Sequence, residues 1–267
     1  MIIAVLKETA DYERRVALTP PAAQKLTADG TKIKMEKGAG KAAGFADKEY
    51  ENAGVEIAED AAAALKGASL LFKIRAPSAE ETKRLPDGLT VIADFRTFVP
   101  DWELIKNRRF SLFALERIPR ISRAQDMDIL SSQDNLAGYK AAIEAVNMLN
   151  RAVPMMTTAA GSPPRAPILF KQKEIGLLKA GSVLIDVSGN VEGPGSPETF
   201  TTENGAVVTV DRQMASLLPD TASRLFANNL CNFFRLLGNG PAAGQTPDFA
   251  DDVINRTCIC WQGEKRE

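Results

Sequence analysis

The chain has 267 residues, of which 45% are hydrophobic and 25% charged, and its formal net charge is −1. That is enough apolar material for a sizeable core in one or two domains, and the interspersed signs leave no basic field for nucleic acid and no polybasic membrane patch. Histidine is absent, which excludes a Ser-His-Asp triad, a Cys-His dyad, a His-ligated metal and a His general acid together.

Cys231, Cys258 and Cys260 have the spacing of neither a disulfide framework nor a zinc site, so no metal is expected. No apolar run approaches the ~20 residues that span a bilayer, and the start, strand-like with Lys7 and Glu8, does not read as a signal peptide. A soluble, cytoplasmic protein is expected.

In chain order, residues 2–6 read as a buried strand. Thr19 caps a helix with Pro20 at its first position and Gly30 just past its end. Residues 31–36 alternate as a strand, 47–53 read as a helix, 55–58 as a short strand and 61–65 as a helix. Further strands are expected at 70–74, 89–95 and 110–115, separated by helices at 80–84 and 100–108. Strand and helix in alternation imply a parallel sheet covered on both faces. The cluster KGAGKAAG (37–44) follows a strand, but Gly38, Gly40 and Gly44 are spaced one residue too widely for a dinucleotide fingerprint, and a glycine-permitted turn is the better reading.

The stretch PRISRAQDMDILSSQDNLAGY (119–139) brings Arg120, Gln125 and Asp128 close together before an apolar periodic run. A fork of N–H donors, an amide that donates and accepts, and a carboxylate acceptor form the mixture that a flat amide-bearing ring requires. The spacing also fits a plainer arrangement, in which Arg120 and Asp128 pair across a turn and Gln125 is solvated.

Residues 134–151 read as a helix whose apolar face, Leu136, Tyr139, Ile143 and Val146, is expected to be core. Phe226, Leu230, Phe233 and Leu237 make a matching stripe on a second long helix near the other end. Loops are expected at 161–167 and 189–197, a flexible tail at 239–252, and a last strand over 253–261.

Several of these stretches resemble one family. The 119–139 block is similar to the signature loop of the NAD(H)-binding component of proton-translocating nicotinamide nucleotide transhydrogenase. The opening MIIAVLKETADYERRVALTP resembles the start shared by that family and alanine dehydrogenase. FKIRAPSAEE (72–81), AGSVLIDV (180–187) and LFANNLCNFFRLL (225–237) add to the likeness. The resemblance implies that Arg120, Gln125 and Asp128, with Ser131 following, contact the nicotinamide end of NAD(H). It also implies an anion-binding role for Arg15 and Lys73, since an Arg and a Lys in such blocks bind the substrate carboxylate in alanine dehydrogenases. The His expected near 93–95 is missing, and the other reading of Arg15 and Lys73 is that both close structural ion pairs.

The resemblance departs in the middle. A complete dinucleotide-binding domain is expected there, yet 155–211 holds roughly 57 residues, where one βαβ unit takes about 30 and a six-stranded fold several. No G-x-G-x-x-G occurs in the chain, so the pyrophosphate cradle at a helix N-terminus is lacking.

The resulting expectation is an α/β chain. It has a doubly wound, flavodoxin-like parallel-sheet domain (1–133 with 222–267), and a linking helix with a truncated Rossmann remnant (134–221). Its function would be that of a soluble NAD(H)-binding subunit in hydride transfer between NAD(H) and NADP(H), impaired in binding NAD(H). The alternative is a non-catalytic module for dimerisation or regulation. The implied partners are a second copy, a membrane subunit and an NADP-binding subunit, with a peripheral position at a membrane complex.

Overall fold

The computed structural model of the protein describes residues 1–149, 168–238 and 246–266. By internal contacts it divides into two compact units, one of Met1–Ser132 with Pro219–Glu267, the other Gln133–Leu218.

The first unit is built on parallel strands, mostly apolar where both faces are covered and alternating with Lys and Glu towards one edge. These are β1 (Ile2–Val5), β2 (Lys32–Glu36), β3 (Glu56–Ala58), β4 (Leu70–Arg75), β5 (Thr90–Asp94) and β6 (Ser111–Ala114). Between them run α1 (Pro20–Ala28), α2 (Asp47–Asn52), α3 (Ala61–Leu65), α4 (Ala79–Arg84) and α5 (Trp102–Asn107). Thr19 precedes α1 as expected, although its side chain makes no capping bond. Asp60, Ser78 and Asp101 do cap α3, α4 and α5 through their side chains.

The strands lie in the order β3-β2-β1-β4-β5-β6, and without the three-residue edge strand β3 this is the flavodoxin-like order. The chain crosses from one half of the sheet to the other between β1 and β4, which makes the carboxyl ends of those two strands the switch point of the sheet. The glycine cluster forms a turn with a short 3-10 segment, Lys41–Ala43. Gly40 is required there by space, since a Cβ would lie 2.6 Å from the buried Tyr50 ring.

After β6 the chain makes 3-10 turns at Leu115–Arg117 and Ser122–Met127 and enters α6 (Ile129–Met148). The second unit contains α7 (Gln172–Ile175) and a three-stranded sheet of β7 (Val183–Asp186), β8 (Glu198–Thr201) and β9 (Val207–Val210), in the order β7-β9-β8. β7 and β9 are parallel and β8 is antiparallel. Residues 189–197 are irregular as expected, while the 161–167 join lies outside the described residues.

α8 (Pro219–Leu236) returns to the first unit. Phe226, Leu230, Phe233 and Leu237 are buried in one core cluster with Phe72, Phe113 and Met127, as their periodicity implies.

Two expectations are corrected. The apolar stripe of α6 is not core, for Tyr139, Ile143 and Val146 are 59%, 44% and 40% exposed. They belong to the second unit, whose own buried cluster is small and comprises Ile175, Val191, Val208 and Val210. Residues 253–261 are not all strand, because Asp251 accepts from the N–H groups of Val253 and Ile254 and starts α9 (Asp252–Thr257). Only β10 (Cys258–Trp261) extends the sheet, antiparallel beside β6, followed by β11 (Glu264–Lys265). Within the tail expected to be flexible, 239–245 lies outside the described residues. The rest is anchored, with Phe249 edge-on to Trp261 at 5.8 Å and the Arg266 guanidinium 3.8 Å over its ring.

Candidate functional site

The loop between β6 and α6 is pinned from within by Ala124 and Met127, which are buried under α8. Its local shape comes from the Ala124 N–H bonding the Ile121 carbonyl at 3.0 Å. Asp128 stands just ahead of α6 and behaves as an N-cap. Its Oδ1 accepts from the Ser131 N–H at 3.0 Å and its Oδ2 from the Ser131 hydroxyl at 2.5 Å. Arg120 Nε lies 3.9 Å from Asp128 Oδ2, with the Arg120 side chain 54% exposed. Gln125 is exposed in the intervening turn. Arg120, Asp128 and Ser131 therefore form one cluster, with an anchored carboxylate and an outward guanidinium, and Gln125 stands beside it. Asp128 is buried while Arg120 is half in solvent, and a contact as long as 3.9 Å holds the guanidinium loosely, so the arrangement leaves the Arg120 fork available to another group.

Arg15 and Lys73 lie in a different network, at the carboxyl ends of β1 and β4. Lys73 is 1% exposed and donates to Glu81 Oε1 at 2.9 Å and to the Lys7 carbonyl at 3.3 Å, with Glu8 Oε2 3.6 Å away. Glu8 in turn accepts from the N–H groups of Ile74 and Arg75 at 2.7 and 3.3 Å. Arg15 forks onto Glu13, whose Oε2 also takes Arg75 Nε at 3.2 Å. Arg75 Nη1 reaches Asp94 Oδ2 at 3.4 Å, and Asp94 is forked by Arg96.

Protonation follows from these neighbours. Burial pushes the Glu8 carboxyl up despite Lys73. Burial would also raise Glu13, but the Arg15 fork outweighs it and holds the group at about 2. Lys73, which burial alone would lower, is raised because Glu8 and Glu81 face it. Both cations are thus matched by internal carboxylates.

Sequence reasoning missed Glu8, Glu13, Glu81, Arg75, Asp94 and Arg96 as members of this network. One signal was present, the S-x-x-E of Ser78 and Glu81. It forms a capping box, with Ser78 N–H to Glu81 Oε2 at 2.8 Å, and so aims Glu81 Oε1 at Lys73. The others come together only through strand pairing.

In the second unit, the turn after β7 converges several N–H groups on one point, the geometry that binds anions. Here the anion is internal. Asp186 Oδ1 accepts from Ser188 and Gly189 at 2.9 and 2.8 Å, and Oδ2 accepts from Val191 at 2.8 Å. Burial would raise this carboxyl, and the backbone N–H groups more than reverse that and lower it.

Among the described residues, no group of three or more Cys, Asp or Glu side chains could hold a metal ion, and all three cysteines are free and buried. No helix among them is long and apolar enough to cross a membrane.

Comparison with known proteins agrees with this architecture. The model of the alanine dehydrogenase/PNT N-terminal domain matches residues 4–137, and that of the C-terminal domain matches 119–267. The chain is 41% identical over 177 residues to the NAD(P) transhydrogenase subunit alpha of Cereibacter sphaeroides, covering 63% of this chain and 33% of that protein. It is 40% identical over 176 residues to an NAD(P) transhydrogenase subunit alpha polypeptide of Rhodospirillum rubrum, covering 63% and 46%. These matches span between a third and about half of those relatives' own lengths.

The subunit alpha of Haemophilus influenzae is 34% identical over 369 positions, covering 99% of this chain and 72% of that protein. That span exceeds the 267 residues present, so the relative carries a stretch with no counterpart here. Among solved structures, a transhydrogenase from Sinorhizobium meliloti superimposes with a TM-score of 0.84 at 26% identity, covering 99% of this chain and 100% of that one. An L-alanine dehydrogenase superimposes at 0.80 with 18% identity, a likeness of fold. With both domain models matched and one relative covered over most of its length, the chain belongs to the alanine dehydrogenase/PNT family.

Proposed function

We propose that the chain serves as the NAD(H)-side, alpha-type component of an NAD(P) transhydrogenase assembly. In this reading the exposed loop carrying Arg120, Gln125, Asp128 and Ser131 meets the nicotinamide end of NAD(H). The observation that carries it is the preorganised cluster in which Ser131 holds the Asp128 carboxylate while the Arg120 fork faces outward. Such a donor and acceptor set suits a ring carboxamide, and the cofactor itself supplies the hydride chemistry.

The other end of the dinucleotide is less well served. The N–H nest after β7 is filled by Asp186, so among the described residues it offers no cradle to a pyrophosphate. We therefore assign no hydride-transfer step to this chain alone and expect weak NAD(H) binding. Activity would require an NADP-binding partner and a membrane subunit, with this chain peripheral on the cytoplasmic side. Arg15 and Lys73, matched by internal carboxylates, are read as structural.

Titration of the full chain with NADH, followed by fluorescence, tests the reading. Weak binding that Arg120→Ala abolishes supports it, whereas low-micromolar binding indifferent to Arg120→Ala removes it.

A second reading, a non-catalytic module for dimerisation or regulation, is favoured by the exposed stripe of Tyr139, Ile143 and Val146 on α6. Light scattering at tens of micromolar separates the two. A dimer dispersed by Ile143→Glu, together with no NADH binding, selects the module.

A further inference from the structure

Two asparagines of α8 reach the loop from the core side. Asn229 Nδ2 donates to the Asp126 carbonyl at 2.7 Å, and Asn232 Nδ2 donates to the same oxygen at 3.2 Å. Asn229 makes a second bond to the loop, its Oδ1 accepting from the Ser132 hydroxyl at 2.7 Å. Asp126 and Ser132 lie on either side of Asp128 in the chain. One carboxamide therefore ties together both ends of the short segment that presents the Asp128 carboxylate.

Asparagine suits this position because its planar head carries a donor and an acceptor together, whereas aspartate lacks the donor and leucine lacks both. The residue is only 7% exposed, so water does not replace a lost partner. On the outer side, Arg123 forks onto Asp251 at 2.9 and 3.1 Å, but that pair is partly exposed and fixes a residue three positions before Asp126.

We propose that Asn229 is the positioning residue of this site, its buried carboxamide setting the direction in which the Asp128 carboxylate faces Arg120. The role rests on the reading of the loop as a ring-carboxamide site. It acts through Asp126 and Ser132, and the group that contacts the ligand remains the loop itself.

The reporter is the Ser131 N–H, which donates to Asp128 Oδ1. In the full chain labelled with nitrogen-15, Asn229→Ala should move the Ser131 amide resonance. It should also speed exchange of the Ala124 and Ser131 amides by roughly tenfold or more, because the Asp126 carbonyl loses a donor and the Ser132 hydroxyl loses an acceptor. Amides of β4 should keep their rates. Affinity for nicotinamide mononucleotide, the probe for the ring end, should fall by a similar factor. Ser132→Ala removes one arm of the bridge without emptying a buried position and should shift Ser131 in the same direction by less.

A general loss of stability would lower the melting temperature and leave the Ser131 resonance of the folded protein in place. An unmoved Ser131 resonance in Asn229→Ala overturns the proposal, and if that variant does not fold, an unmoved Ser131 in Ser132→Ala does so. Failure of the wild-type chain to bind nicotinamide mononucleotide would overturn the reading of the loop as a ring site. The Ser131 measurement would still decide whether Asn229 sets Asp128.

Discussion

Arg15 and Glu13 meet fork to fork inside the first unit, with Arg15 Nε 2.7 Å from Glu13 Oε1 and Arg15 Nη2 2.6 Å from Glu13 Oε2. The Glu13 side chain is wholly buried, and its Oε2 also holds Arg75, so one carboxylate joins the loop after β1 to the end of β4. The switch point of the sheet is thereby filled by paired charges, whose behaviour with pH follows.

Glu13 sits at about 2 in the folded chain against 4.5 ordinarily. A carboxyl lowered on folding contributes stability that is complete above 4.5 and is lost as the pH falls from 4.5 towards 2. That loss is on the order of 3 kcal/mol. Glu8, raised by burial, acts in the opposite sense: between 4.5 and its raised value the fold takes up a proton that the unfolded chain does not, so stability rises there as pH falls. Melting temperatures should therefore hold or rise slightly as pH falls towards 4.5 and then drop steeply. Glu13→Gln should flatten the steep limb and cost about 3–5 kcal/mol at neutral pH, since it takes a charged partner from the buried Arg15 guanidinium and one of two from the partly exposed Arg75.

Two glycines should respond oppositely to alanine. Gly40→Ala would bring a Cβ to 2.6 Å from Tyr50 Cε2 and 3.0 Å from the Phe45 carbonyl, and Tyr50 cannot withdraw easily because its hydroxyl donates to the Leu18 carbonyl at 2.9 Å. A loss of about 1–3 kcal/mol is expected. Gly138 lies inside α6 with nothing within 4 Å of an added Cβ, so Gly138→Ala should stabilise that helix by roughly 0.5–1 kcal/mol. Urea unfolding of both variants checks the signs.

Asp186→Ala should empty the N–H nest after β7 and destabilise the second unit by about 1–3 kcal/mol, because Ser188, Gly189 and Val191 lose their acceptor. Sulfate should then restore melting temperature more in the variant than in the wild-type chain, since a free anion can enter the vacated nest. Equal salt effects on both would show that the nest collapses once its carboxylate is removed.

The cysteines should be chemically quiet. Burial pushes Cys231 and Cys260 up to about 11 and Cys258 up to about 12, so almost no thiolate exists at neutral pH. A thiol-specific disulfide reagent should label none of them quickly in the native chain and all three in denaturant.

Much of the first unit was legible because its signals are local. Apolar runs such as 70–74 and 89–95 read as strands and are strands, and Pro20 and Gly30 bracket α1 by their own backbone preferences. The stripe of Phe226, Leu230, Phe233 and Leu237 read correctly because a whole helix face meets one core. The same periodicity misled at Tyr139, Ile143 and Val146, since an apolar stripe records what a helix can bury and not whether a partner is present. The strand expected over 253–261 gave way in its first half to α9, because the Asp251 cap outweighed the apolar run.

At the candidate site, sequence by itself determined which side chains stand together in the 120–131 loop, for they are neighbours along the chain. It also determined the absence of histidine and of a glycine-rich phosphate turn, which are matters of composition and spacing. Only tertiary structure decided that Lys73 and Arg15 are matched by Glu8, Glu81 and Glu13, and that Asn229, 97 positions beyond Ser132, holds the loop. Those contacts depend on which strands pair and which helix crosses back over the sheet, and pairing over such separations is fixed by burial of the whole core rather than by any local preference.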